Sequence, residues 1–247
     1  MVIKLKKILF FILFLLSFPV LILSANEYGV GKNQPGQRPN VNIKAIEENN
    51  GYTIGKDDKR IYLTFDCGYE NGYTEKILDV LKETNTKACF FITGHYLNSS
   101  YEIVKRMANE GHIIGNHTYS HKSFNESSNT EILNDIKKLE NLYKEKTNLS
   151  MSKYIRPPKG EYTSKSQRLL NENGYTSVFW SLAYVDWYKD KYYGNHYSYN
   201  NIMKRIHNGA IILMHSVSKD NSLDLKDIII DLNKKGYIFS SLDDLTI

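Results

Sequence analysis

The sequence predicts an α/β fold built on a parallel sheet. Three observations carry this. Some seven short apolar runs alternate with amphipathic helical stretches along the chain. The runs are apolar almost throughout, as expected of strands covered on both faces. Gly111, Gly174 and Gly236 each follow a helical stretch, where the left-handed position that ends a helix favours glycine. A closed barrel and an open sheet both satisfy this pattern.

The elements run as follows. Ile61 to Phe65 reads as a strand and Thr74 to Glu83 as a helix. Ala88 to Thr93 is the next strand, then a helix from Ser99 to Asn109 and a short strand from His112 to Gly115. Asn129 reads as the N-cap of a long helix to Lys146. Its apolar positions Ile132, Leu133, Ile136, Leu139, Leu142 and Tyr143 recur at helical spacing. Tyr154 to Arg156 is a strand, Ser164 to Asn173 a helix and Ser177 to Leu182 a strand. Asn201 to Ile206 is helical, Ala210 to His215 a strand, Leu223 to Lys234 a helix, and Tyr237 to Ser240 closes the series.

Lys4, Lys6 and Lys7 precede an apolar run from Ile8 to Leu23, so residues 1–25 read as an export signal or an uncleaved anchor, with a membrane tether through 8–23. Residues 26–58 are polar and turn-rich and read as an irregular lead-in; 59–247 form the main domain. Hydrophobic residues make up 41% of the chain, which excludes a disordered polymer. Three of the five excess positive charges lie in the leader, so charge gives no case for nucleic acid. Two cysteines are too few for a disulfide scaffold.

Ionisable residues collect where predicted strands end. Asp66, His117 and His121, Arg156, Asp186 and His215 each follow a different run. Ligands bind at the carboxyl ends of strands in barrels and open sheets alike. His117 and His121, read on one helical turn, would point the same way and share a metal. With Asp66 they offer two nitrogens and an oxygen, suited to zinc or another divalent ion with a position open for water. Asp66 beside such a water would accept its proton, and His215 would supply one to a leaving group. Asp186 would orient His215, and Arg156 would pair with Asp66.

The segments Thr64-Phe65-Asp66, His117-Thr118-Tyr119-Ser120-His121, Arg156-Pro157-Pro158-Lys159-Gly160, Asp186-Trp187 and Leu213-Met214-His215 resemble, in order, the five motifs of the polysaccharide deacetylases, carbohydrate esterase family four. The resemblance implies a distorted, incomplete (β/α) barrel of about seven parallel strands with outer helices. It implies removal of N-acetyl groups from amino sugars. Asp66 would be the base, His215 the acid, Arg156 and Asp186 their partners, and His117 and His121 metal ligands. The family usually carries two adjacent aspartates in its first motif, the second a metal ligand; here Cys67 stands in that place. Three outcomes stay open: a Cys67 thiolate ligand, which would favour zinc; Asp66 moving into the metal shell; or a water filling the gap. A Cys67–Cys89 disulfide is a further alternative.

The stretches Asp66–Tyr73, Phe179–Ala183, Val185–Trp187 and Ser216–Asn221 are similar to the delta-lactam-biosynthetic de-N-acetylase branch. That branch acts on muramic acid in peptidoglycan and leads to muramic delta-lactam in spore cortex. The resemblance therefore implies peptidoglycan strands as substrate and an association with spores; export to the cell wall fits the leader, and a monomer is expected. Tyr69, Glu70, Asn71, Lys159, Trp187 and Tyr188 are the expected substrate contacts, with aromatic rings as a floor for sugar faces. A backbone N–H near Tyr69 would help hold the oxyanion. An N-acetylglucosamine deacetylase and a non-catalytic glycan-binding wall protein are the alternative readings.

Overall fold

A computed structural model describes residues 26–27, 36–41 and 43–246. The expected leader, 1–25, lies outside them. Among the described residues no helix is long and apolar enough to cross a membrane.

The elements in chain order are β1 (Asn26–Glu27), α1 (Lys44–Glu47), β2 (Arg60–Cys67), α2 (Thr74–Glu83), β3 (Cys89–Ile92), α3 (Gly94–Ser99), α4 (Tyr101–Asn109), β4 (Ile113–Asn116), α5 (Asn129–Thr147), β5 (Tyr154–Ile155), β6 (Glu161–Tyr162), α6 (Ser164–Glu172), β7 (Thr176–Ser177), α7 (Tyr197–Arg205), β8 (Ile211–His215), α8 (Lys219–Lys234) and β9 (Ile238–Phe239). Six strands lie in the order β7-β5-β4-β3-β2-β8, with β9 also on β2, and every neighbour is parallel. The chain beyond β7 crosses to the other end of the sheet, where Leu182 bridges Ile212 of β8. The sheet therefore curls into a distorted, incomplete barrel wrapped by helices.

Strand periodicity divides the core in two. On β2, Ile61, Leu63, Phe65 and Cys67 pack outward beneath the helices, among Ile77, Leu78 and Leu97. Tyr62 points into the barrel with Cys89 and Phe91 of β3 and Ile211 and Leu213 of β8. Gly115 of β4 has no room for a side chain, because a Cβ there would sit 2.5 Å from the Phe91 ring. The inward-facing positions at the carboxyl ends are Asp66, His117, Arg156 and His215.

Several boundaries differ from expectation, each for a physical reason. Ser128, not Asn129, caps α5, in a capping box with Glu131. The predicted helix Ser99–Asn109 is α4, which begins at Tyr101, and a separate helix, α3, not predicted, ends at Ser99 just before it. Helix α7 begins before Asn201 because a carboxylate of α8 caps it: Asp224 Oδ2 accepts from the Ser198 and Tyr199 amides, while Asp220 holds the preceding turn through the Tyr193 and Gly194 amides. Helix α8 begins before Leu223, where buried polar residues Asp220, Asn221, Ser222 and Asp224 hide the apolar spacing. The described part of the lead-in is packed. Ile46 is buried, Tyr52 bridges Val178, and the Arg38 guanidinium donates to the carbonyls of Gly55, Lys56 and Asn208.

Candidate active site

Asp66 and His215 are direct neighbours in the β2–β8 register, so both side chains rise from the same rim of the barrel interior. Arg156 lies under them, fully buried. Its Nη1 donates to Asp66 Oδ1 at 2.8 Å and its Nη2 to Thr64 Oγ1 and the Phe179 carbonyl, both at 2.9 Å. Its Nε donates to the Val178 carbonyl at 2.9 Å. The guanidinium also stacks 4.3 Å from the centre of the Phe91 ring. Burial alone would raise the Asp66 pKa. The charge of Arg156, followed by those of His117 and His215, outweighs it and holds the carboxyl below its usual range.

His215 is held from the other side. Asp186 Oδ1 accepts from His215 Nδ1 at 2.7 Å, and Oδ2 accepts from the His215 amide at 2.8 Å. Burial would lower the imidazole pKa, but the Asp186 charge and hydrogen bond reverse this and raise it. About a fifth of the His215 side chain (22%) stays open to solvent. With Nδ1 engaged, Nε2 is the atom free to exchange a proton with a ligand.

His117 and His121 do meet, though not on a helical turn. They sit on a loop after β4 in which Thr118 and His121 take left-handed backbone angles, φ of 63° and 56°. Asn116 Oδ1 accepts from the Thr118 amide, and Thr118 Oγ1 accepts from the His121 amide. A Cβ on Gly94 would strike the Tyr119 ring, so that glycine lets the loop close down on α3. His117 Nδ1 donates to the Arg156 carbonyl at 2.8 Å, which leaves Nε2 as the bare nitrogen. It faces His121 Nε2 at 3.2 Å and Asp66 Oδ2 at 3.5 Å. Desolvation lowers both imidazole pKa values. Asp66 opposes the shift at His117, and the charge of His117 deepens it at His121.

Two neutral imidazoles about 3.2 Å apart fit one ion, since two nitrogens at roughly 2.1 Å on a tetrahedral centre lie about 3.4 Å apart. Among the described residues no three His, Cys, Asp or Glu side chains close a cage by themselves.

Cys67 is not part of it. Side chains alternate along a strand, so the residue after inward-facing Asp66 points outward. Its thiol is buried under the helices near Ser216, and burial pushes its pKa up, away from the thiolate a metal needs. Cys89 faces the barrel interior, and both cysteines are free. Of the three outcomes left open for this position, the thiolate ligand is corrected by the outward facing of Cys67, and the alternative disulfide by the two free cysteines facing opposite ways.

The profile of the polysaccharide deacetylase family matches residues 53–178, just over half of the chain. The chain belongs to the polysaccharide deacetylase family. It is 46% identical over 222 residues to an uncharacterized 30.6 kDa protein of Geobacillus stearothermophilus, covering 88% of this chain and 84% of that one. It is 43% identical over 202 residues to the peptidoglycan-N-acetylmuramic acid deacetylase PdaA of Bacillus subtilis, covering 81% and 76%. The solved structure of B. subtilis PdaA, a family 4 carbohydrate esterase, superposes with a TM-score of 0.86 at 38% identity, covering 90% of this chain and 97% of that one.

The expected substrate contacts of this deacetylase divide. Tyr69 is 63% exposed and leans on the His95 ring, 4.9 Å between centroids. Trp187 and Tyr188 are about half exposed, with Trp187 edge-on to His215 at 5.9 Å. Aromatic faces thus flank the rim on two sides. Lys159, exposed and left-handed at φ 57°, lies near enough to be felt at His121 and stands 3.9 Å from Glu161. Glu70 and Asn71 both have partners within the fold. Glu70 accepts from the Gly72 and Tyr73 amides just ahead of α2 and from the Thr74 and Tyr96 hydroxyls. Asn71 donates to the carbonyls of Lys189 and Val217 and ties three loops together. Sequence reasoning missed Thr64 and Asn116. Each is a polar residue inside an apolar strand, which was the available signal.

Proposed function

We propose that this chain is a hydrolytic de-N-acetylase of N-acetylmuramic acid residues in peptidoglycan, acting outside the cell. The observation that carries the chemistry is the pair of oppositely tuned neighbours, an Asp66 carboxylate whose ionised form Arg156 favours and a His215 imidazole whose protonated form Asp186 favours. Such opposed environments mark a base and an acid. The likeness to PdaA over most of both chains supports the muramic substrate.

His117, His121 and Asp66 would hold a divalent ion, zinc being the best suited to these donors, and such an ion would supply Lewis acidity to the acetyl carbonyl and the attacking water. Asp66 takes the water proton as oxygen adds to the carbonyl carbon. A backbone N–H near Tyr69 faces the developing oxyanion. His215 Nε2 then gives its proton to the nitrogen as the carbon–nitrogen bond breaks, releasing acetate and a free amine. Tyr69, Trp187 and Tyr188 cradle sugar faces, and the Lys159 ammonium meets the lactyl carboxylate. In strands stripped of peptide, the new amine closes on that carboxyl group, whose C–O bond breaks with release of water, to give the delta-lactam of spore cortex. The catalytic domain spans 59–247, works as a monomer, and reaches the wall by export through the leader, cleaved or retained as a tether.

Peptide-free glycan strands incubated with the zinc-loaded protein test this by mass spectrometry of the digested products. Acetyl loss on muramic residues is expected. Loss confined to glucosamine residues would give the alternative substrate, and no acetate release at all would favour a binding protein.

A further inference from the structure

Behind the His215–Asp186 pair lies a buried amide that the reaction as derived does not use. Asn221, fully buried on the first turn of α8, has all four of its side-chain hydrogen-bonding positions filled. Its Nδ2 donates to Asp186 Oδ2 at 2.7 Å and to the His215 carbonyl at 2.9 Å. Its Oδ1 accepts from the Tyr184 hydroxyl at 2.7 Å and from the Ser198 hydroxyl at 2.6 Å. The orientation of the amide is not arbitrary. A carboxylate and a carbonyl can only accept, so the NH2 group must face them.

We infer that Asn221 is a positioning residue for the general acid, holding Asp186 at the angle that keeps the His215 ring aimed at the leaving nitrogen. Asp186 Oδ2 has two donors, the His215 amide and Asn221. Remove Asn221 and the carboxylate keeps only bonds to the residue it is meant to orient. Tyr184 and Ser198 extend the brace to the segment before α7 and to its first turn. The same end of α8 also caps that helix through Asp224 and holds the Tyr193–Gly194 turn before it through Asp220, so the acid and that turn share one anchor. Half-satisfied buried networks are costly, and a fully satisfied one is rigid.

The inference rests on the reading of His215 as an acid, and the test separates the two. Wild type, Asn221→Ala, Tyr184→Phe and His215→Ala are compared on two substrates: peptide-free glycan strands, whose amine must be protonated to leave, and 4-nitrophenyl acetate, whose phenolate leaves unaided. Thermal melting of each variant checks the fold. Asn221→Ala is expected to lower kcat on glycan about ten- to a hundredfold, with KM and the ester rate within about twofold. Tyr184→Phe, which removes one hydroxyl, should give a few-fold effect of the same pattern, and it decides the matter if Asn221→Ala fails to fold. Equal losses on both substrates, or a loss in KM alone, would overturn the inference. If His215→Ala loses as much on the ester as on the glycan, the acid reading fails and this inference with it.

Discussion

Two histidines, each beside a carboxylate, sit at opposite ends of the barrel and hold protons differently. At the carboxyl end, His215 meets Asp186 at 2.7 Å and its pKa is raised. At the other end, His112 stands just before β4 with its Nε2 4.0 Å from Glu110 Oε2, and neither atom has a protein hydrogen-bond partner. There burial, followed by the charge of Lys87, pushes the His112 pKa down to about 4, and Glu110 does not reverse it. Burial is common to both; contact with the carboxylate decides the outcome. The barrel thus needs no special residue type to make an acid, only a carboxylate brought into bonding contact and held there.

Breaking the active end should have the largest effect. Asp66→Asn is expected to lower kcat by about 10²–10⁴. It also leaves Arg156 buried without its counter-charge, so the urea midpoint should fall as well. Retained turnover would remove Asp66 from the chemistry. Asp186→Asn makes His215 resemble His112. The basic limb of the rate profile should move down by roughly one to three pH units, because the imidazole then loses its proton sooner. A limb that stays in place would detach Asp186 from His215.

The opposite end yields a stability prediction. Above about pH 6.5 His112 is neutral in folded and unfolded chains alike. As pH falls from there toward about 4, the unfolded chain takes up a proton that the folded one refuses, so stability drops across that window. In His112→Leu this part of the drop disappears, which urea unfolding at pH 7 and pH 4.5 would register; parallel losses in both proteins would contradict it. The smallest effect is expected at Cys67. Cys67→Ala should cost about 1 kcal/mol of stability through lost packing and leave zinc affinity unchanged in a competition titration. A weakened affinity would return the thiol to the metal site.

Much of this was legible in the chain before its structure. Strand ends announced Asp66, Arg156 and His215, because in a parallel sheet those ends share one rim. The face on which Cys67 lies was equally implicit, since alternation along β2 sets it opposite Asp66. Adjacency in the motif hid that fact. The His117–His121 spacing correctly suggested a meeting but not its geometry, since left-handed angles at Thr118 and His121 carry no mark in the sequence. Glu70, Asn71 and Asn221 were illegible for a different reason. Polar residues beside a site look alike in a sequence, and only the partners of their side chains separate a ligand contact from a brace. The start of α7 was misplaced because its cap, Asp224, comes from across the fold, and that of α8 because buried polar residues on its first turn hide the apolar spacing.

The most direct test of the account is the pH dependence of kcat/KM on peptide-free glycan strands with the metal site loaded. The account predicts a fall on the basic side through a value above 6.5, as His215 loses its proton, and a fall on the acid side only below the usual carboxylate range, where Asp66 gains one. A rate that instead rises through the histidine range and stays high would mean that His215 acts unprotonated, and the division of labour between the two neighbours would be wrong.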